Sequence, residues 1–262
     1  MIGFIGGGNM AEALIQGITS KGTRDVLVSE PREERRRHLE SRYGVRSTVS
    51  NKEVVSSCEL IVLAVKPQNM ADVLQEIGGA VSDDHTVVSI AAGISLSYLK
   101  ERLRTPRLVR VMPNTPALVQ EGMSVMSLCE CLPDRHIAPV REMLMSVGKV
   151  ITLPEKYMDA VTALSGSGPA FIALFVEAMR DSGAAMALTV EQATELAIQT
   201  LIGTAKLLDS GMTPEHLREM VTSPGGTTAA GLRVFEEGGL RSLVTSALLA
   251  ARKRAEELGK EK

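Results

Sequence analysis

Gly6-Gly7-Gly8-Asn9-Met10-Ala11, entered directly from the apolar run Met1–Ile5, has the Gly-x-Gly-x-x-Ala form of a phosphate-receiving turn. The first glycine permits a tight turn, the second lets the backbone approach a pyrophosphate, and Ala11 lets the following helix lie close to the strand. Unpaired N–H groups at that helix start would then meet the phosphates. A glycine turn without a ligand is the alternative, and the position after a strand at the head of a βαβ pattern argues against it. Ser29 and Glu30 close the second apolar run, 22 residues beyond Gly8. An acid there accepts from the adenosine ribose, which favours NADH. Arg32, Arg35, Arg36 and Arg37 follow, however, and a guanidinium suits the 2′-phosphate of NADPH. On a helix only Arg32, Arg35 or Arg36 could face that pocket. The residues leave the choice open, with use of both cofactors and a modest NADH advantage expected from Glu30.

The second unusual stretch is Val221-Thr222-Ser223-Pro224-Gly225-Gly226-Thr227-Thr228. Proline and two glycines stop one helix and two threonines open the next, so exposed N–H groups and hydroxyls form an anion site without a basic residue. A capped inter-helix turn is the alternative. Between these stretches, Ala64-Val65-Lys66-Pro67, Ser89-Ile90-Ala91-Ala92-Gly93 and Met112-Pro113-Asn114-Thr115-Pro116 each follow an apolar run. Loops at the carboxyl ends of parallel strands line the ligand crevice of such sheets, and Lys66 reads as a polar group near the cofactor. The four histidines, His38, His85, His136 and His216, lie in polar surroundings away from the glycine turns and read as surface residues. A hydroxyacid dehydrogenase would need a strong general acid, and Lys206 is the sole helical candidate, on a polar face. An imine substrate needs less, because its nitrogen is already basic. Cys129-Glu130-Cys131 resembles a metal half-site, but no second Cys or His pair lies at ligand spacing, so no metal is expected.

These residues need a scaffold. Met1–Ile5, Val26–Ser29, Leu60–Ala64, Thr86–Ile90 and Leu108–Val111 read as buried parallel strands, and Met10–Lys21, Glu33–Tyr43, Met70–Ile77 and Leu96–Leu103 as the helices between them. The alternation predicts an α/β fold, a Rossmann-type doubly wound sheet. Beyond Lys149–Leu153 helical patterns take over, in Pro169–Met186, a stretch opened by Thr189-Val190-Glu191-Gln192 in the form of a capping box, and Leu240–Leu258. We therefore expect a dinucleotide-binding domain over 1–153 and an all-helical domain over 154–262, the latter read as substrate-binding and dimerising from the family resemblance given below. The chain has 262 residues, a net charge of −2, three Cys and no Trp. Neither half carries the basic excess that nucleic acid requires, which also disfavours a DNA-binding redox regulator. The first eight residues lack the features of a secretion signal, no run reaches bilayer length, and the odd cysteine count fits a reducing cytoplasm. A helical domain of this size and composition is small for burying its own apolar faces, so a homo-oligomer is favoured over a monomeric bundle.

Taken together, Ile5–Ala11, Ala64–Pro67, Met112–Pro116, Leu164-Ser165-Gly166-Ser167-Gly168-Pro169 and Thr222–Thr228 resemble pyrroline-5-carboxylate reductase over essentially the whole chain. The last two blocks are far more specific than the dinucleotide turn. The resemblance implies NAD(P)H-dependent reduction of 1-pyrroline-5-carboxylate to L-proline by hydride transfer to the C=N carbon. It implies that Ile5, Gly6, Gly7, Gly8, Asn9, Met10, Asn51, Ala64, Val65, Lys66, Pro67, Ile90, Ala91 and Ala92 line the cofactor, joined by Ser29, Glu30 and Arg32. Ser223, Gly226 and Thr227 would hold the substrate carboxylate, Thr228 would reach the ring nitrogen, and Glu155 would border the substrate. It also implies helical domains interlocked as dimers, grouped further as pentamers of dimers, with active sites shared between subunits. Glu30 departs from the family, where a small residue commonly meets the 2′-phosphate. A hydroxyacid dehydrogenase and a catalytically silent scaffold are the competing readings, and the intact Gly turn and Thr228 argue against the second.

Overall fold

Val-, Ile- and Leu-rich runs of four or five residues form most of the strands, with longer mixed segments as helices between them. The computed structural model describes residues 1–129 and 132–260. The chain runs through β1 (Ile2–Ile5), α1 (Asn9–Ser20), β2 (Val26–Ser29), α2 (Glu33–Tyr43), β3 (Arg46–Thr48), α3 (Asn51–Ser57) and β4 (Leu60–Leu63). It continues with α4 (Met70–Ile77), β5 (Thr86–Ser89), α5 (Leu96–Lys100), β6 (Leu108–Met112), β7 (Gly122–Leu128), α6 (Asp134–Met145) and β8 (Gly148–Thr152). Helices follow: α7 (Met158–Val161), α8 (Gly168–Ala185), α9 (Val190–Asp209), α10 (Pro214–Met220), α11 (Thr227–Glu237) and α12 (Leu240–Lys260).

The sheet order is β3-β2-β1-β4-β5-β6-β7-β8. β1 lies between β2 and β4, the point at which strand order reverses and where such sheets hold ligands. Successive residues of each central strand feed opposite faces. Phe4, Val28, Val62, Val88 and Val109 pack with α1, α2 and α6 on one side. Ile5, Leu27, Ile61, Val87 and Leu108 pack with α3, α4 and α5 on the other. The five strands read from the sequence, β1, β2, β4, β5 and β6, all pair in parallel. β7 runs antiparallel to β6, and β8 is parallel to β7. The cause is the link after β6, a single 3-10 turn over Thr115–Val119, too short for the crossover that a parallel neighbour needs.

The chain forms two units, residues 1–167 with 251–262, and residues 168–250. This division differs from the expected break after residue 153, because 154–167 pack with the sheet. Leu153 N–H donates to the Met126 carbonyl at 2.9 Å, and Met158 is fully buried. In the helical unit, α8 and α9 pack through small residues. A Cβ on Gly183 would lie 2.8 Å from the Cβ of Ala193, which is buried with Ala197. The capping box at Thr189 and Gln192 forms in both directions. Large apolar side chains, among them Leu174, Leu196, Val234 and Leu243, stay exposed. Against the expectation that no run reaches bilayer length, the helical stretch Glu155–Ala185 is long and apolar enough to cross a membrane by length and composition.

Candidate active site

Gly6 has φ of +99°, and a Cβ there would lie 2.8 Å from the Ala64 carbonyl oxygen. Only glycine therefore lets the turn fold against the loop after β4. Gly8 differs, because a Cβ there meets nothing within 4 Å. The space beside it is open for a ligand. Gly8 caps α1 without a side-chain hydrogen bond, and the first intrahelical bond runs from Glu12 N–H to the Gly8 carbonyl at 2.9 Å. The amides of Asn9, Met10 and Ala11 thus start a helix whose geometry leaves them for an outside acceptor. A dinucleotide pyrophosphate fits that donor set. Ile5–Met10, Ala64–Pro67 and Ile90–Ala92 come together at the carboxyl edges of β1, β4 and β5. Ile5 and Leu63 carbonyls accept from the Ala64 and Ile90 amides. Lys66 is exposed at the start of a 3-10 turn there.

Three expected cofactor residues have other partners. Glu30 is nearly fully buried, and its two oxygens accept from the Gly7 amide (3.0 Å), the Arg32 amide (3.1 Å), Arg32 Nε (2.8 Å) and Arg32 Nη2 (3.3 Å). A carboxylate has about four acceptor positions. All are used, so Glu30 does not stand ready for ribose hydroxyls as the sequence suggested. Burial pushes its pKa up, but the bonds from Arg32 and Gly7 outweigh it and hold the pKa below the usual range. Arg32, by contrast, keeps its side chain 67% exposed while Glu30 fixes its position. Ser29 is buried, its hydroxyl on Asn51 Oδ1, and Asn51 Nδ2 donates to Glu76 at 2.7 Å.

Glu155 is also engaged. Its Oε1 accepts from the Leu96 amide at 2.8 Å, at the start of α5, and from Arg110 Nη1 at 3.0 Å. Arg110, buried in mid-strand, lies 3.8 Å from Asp159 as well. Glu155 thus neutralises a buried cation in the sheet unit rather than standing free for substrate. An arginine inside Leu108-Val109-Arg110-Val111-Met112 was the signal that a carboxylate partner must exist, and the sequence reading did not use it. Asn114 was read only as part of the crevice-lining block Met112–Pro116. Its Nδ2 donates to the Ser165 carbonyl at 3.2 Å and its Oδ1 accepts from the Met123 amide at 2.8 Å, tying the loop after β6 to the Ser-Gly-Ser-Gly-Pro segment.

In the helical unit, Thr227 and Thr228 occupy the first turn of α11 and Gly226 caps it without a side-chain bond. The Gly226 amide is taken by the Ser223 carbonyl at 3.0 Å. Gly226 therefore cannot offer its N–H to a carboxylate; its role is space, since a Cβ would stand 2.5 Å from Ser223 Oγ. The α11 start, with the amides of Thr227 and Thr228 beside the exposed Ser223 hydroxyl, could receive an anion. Among the described residues no group of three His, Cys, Asp or Glu side chains could hold a metal; Cys131 lies outside them.

A doubly wound sheet whose switch point carries this turn belongs to the nicotinamide-dinucleotide oxidoreductases. Residues 1–93 match the family described as coenzyme F420-dependent NADP oxidoreductase, and residues 155–258 the family described as pyrroline-5-carboxylate reductase dimerisation. The chain is similar to the pyrroline-5-carboxylate reductase of Synechocystis sp., with 40% identity over 99% of this chain and 98% of the relative. Its fold is similar to that of a pyrroline-5-carboxylate reductase from Coxiella burnetii, with TM-score 0.90, 34% identity and coverage of 98% and 97% of the two chains. It is also similar to the Plasmodium falciparum pyrroline carboxylate reductase solved with NADP bound, with TM-score 0.88, 30% identity and coverage of 98% and 97%. The chain belongs to the pyrroline-5-carboxylate reductase family. Its match to the dimerisation family supports homo-oligomerisation.

Proposed function

We propose that this protein reduces 1-pyrroline-5-carboxylate to L-proline, the final step of proline biosynthesis, with NAD(P)H as reductant. The observation that carries the reading is 40% identity to a reductase of that name along 99% of the chain. A bound dinucleotide would supply a hydride to the C=N carbon, and a proton would complete the amine at nitrogen. The glycine turn and the α1 start hold the pyrophosphate. Ser223 and the amides of Thr227 and Thr228 hold the substrate carboxylate, fixing the face of the ring presented to the hydride. The Thr228 hydroxyl donates to the ring nitrogen, which gains basicity as the C=N bond is reduced.

Both cofactors serve, with NADPH favoured. Glu30 is saturated by Gly7 and Arg32, and the exposed Arg32 guanidinium beside the turn is the group suited to a 2′-phosphate. This replaces the NADH advantage expected from the sequence. The oligomer is a dimer that groups further as a pentamer of dimers, with active sites shared between subunits, and it works in the cytoplasm without nucleic acid or membrane; the family resemblance supports these points. Purified protein should oxidise NADPH, and NADH less efficiently, only when pyrroline-5-carboxylate is added, yielding one L-proline per cofactor. A folded sample that binds nucleotide but turns over neither cofactor would refute the proposal.

A further inference from the structure

Arg35 was a candidate for the 2′-phosphate pocket, but its side chain turns inward. Its Nε donates to the Gly7 carbonyl at 2.6 Å, and its Nη2 to Glu12 Oε2 at 2.5 Å. Glu12, on α1, also accepts from His38 and Tyr43, each at 2.8 Å, both on α2. Burial raises the Glu12 pKa, but the bonds from His38, Tyr43 and Arg35 overcome it and lower the pKa to about 2. On the other side of the same residue, Glu30 accepts from the Gly7 amide. The Gly7 N–H and C=O are thus each held by a charged side chain, one from the end of β2 and one from α2. Gly7 is the middle residue of the turn. A three-glycine segment has the greatest conformational freedom in the chain, and freedom lost on binding weakens affinity.

We propose that Arg35 is a positioning residue for the dinucleotide turn: anchored by Glu12 and opposed by Glu30, it fixes the Gly7 peptide so that the turn's amides face the pyrophosphate before the cofactor arrives. The inference rests on the reading of this turn as the cofactor site. It touches the part of the dinucleotide that NADH and NADPH share, which sets it apart from Arg32. Lysine replaces it only in part, because a single ammonium lacks the fork that reaches Gly7 and Glu12 together.

The test is titration of the full-length protein with NADH and with NADPH, following nicotinamide fluorescence, alongside kcat and KM. Arg35→Ala should raise Kd for both cofactors by one common factor of about tenfold, the loss of a charge-assisted hydrogen bond. kcat at saturating cofactor should fall far less than Kd rises. Arg35→Lys, which keeps the charge beside Glu12 and so preserves the fold, should weaken both cofactors equally but by a smaller factor. Arg32→Ala should weaken NADPH alone. A fall in melting temperature with both Kd values unchanged would make Arg35 merely structural and overturn the proposal. Weakening confined to NADPH would place Arg35 on the 2′-phosphate and overturn it too. Wild-type protein that binds neither cofactor would instead refute the reading of the turn.

Discussion

The sheet unit and the helical unit solve the problem of apolar surface in opposite ways. In the first, alternate strand residues supply two faces, each covered by helices of the same chain, and side chains such as Phe4, Leu14, Ile61 and Leu74 are essentially solvent-free. In the second, α8 and α9 meet through Gly183, Ala193 and Ala197, and the large side chains point outward, Leu174 at 65% and Val234 at 66% exposure. Close packing of small residues buries little area per residue, so the helical unit gains little hydrophobic stabilisation from its own contacts. The difference teaches that the two halves have different completion requirements. The glycine turn is held by the chain that carries it, whereas the unit carrying Ser223–Thr228 leaves large apolar side chains uncovered by its own chain.

The largest effect should come from a charge on that outward face. Leu174→Arg should abolish the oligomer and lower turnover at least 10²-fold, while NADPH binding persists in the sheet unit, because an unpaired charge cannot be buried in an apolar interface. Sedimentation and cofactor titration on the same sample check it. Leu14→Ala, in the sheet core, should behave in the reverse manner. It should cost about 2–5 kcal/mol of stability in urea unfolding and leave the assembled state unchanged.

Smaller changes separate chemistry from architecture. Thr228→Ala should lower kcat by about 10²-fold without altering cofactor Kd. A variant within about threefold of wild type would remove Thr228 from the mechanism. Ser223→Ala should instead raise the substrate KM, since a carboxylate contact is made in ground and transition states alike. Glu12→Gln addresses the polar network behind the glycine turn. Its carboxyl is held at about 2 against 4.5 for an unperturbed glutamate, so its stabilisation is complete above pH 4.5 and disappears as pH falls towards 2. The variant should be less stable at pH 7 by about 1–3 kcal/mol, and the gap should close near pH 2. Urea midpoints at several pH values measure it.

Long periodic elements were legible in sequence, because burial and pattern agree there. α2 was predicted at Glu33–Tyr43 and α4 at Met70–Ile77, and both occur with those bounds. β7 was not predicted. Gly122-Met123-Ser124-Val125-Met126-Ser127-Leu128 is rich in Gly, Ser and Met, and its strand state comes from pairing with β6 and β8 rather than from propensity. β3 has three residues, too few for a period to register. At the site, the glycine turn was legible from its spacing directly after a strand, and Gly6 has a local reason to be glycine in its φ of +99° against the Ala64 carbonyl. The partners of Glu30 and Glu155 were not read from the sequence. Arg32, two residues from Glu30, supplies three of its four bonds. The Gly7 amide and Arg110 arrive from 23 and 45 residues away, and spacing along a sequence carries no information on those two contacts.

The proposal that function requires a second copy is tested most directly by sedimentation velocity over a dilution series of the wild-type chain, with pyrroline-5-carboxylate-dependent NADPH oxidation measured on each sample. The predicted result is a species of at least twice the chain mass that carries all the activity, with turnover per chain falling in step as it dissociates. A folded species of single-chain mass, turning over at the undiminished rate, would contradict it.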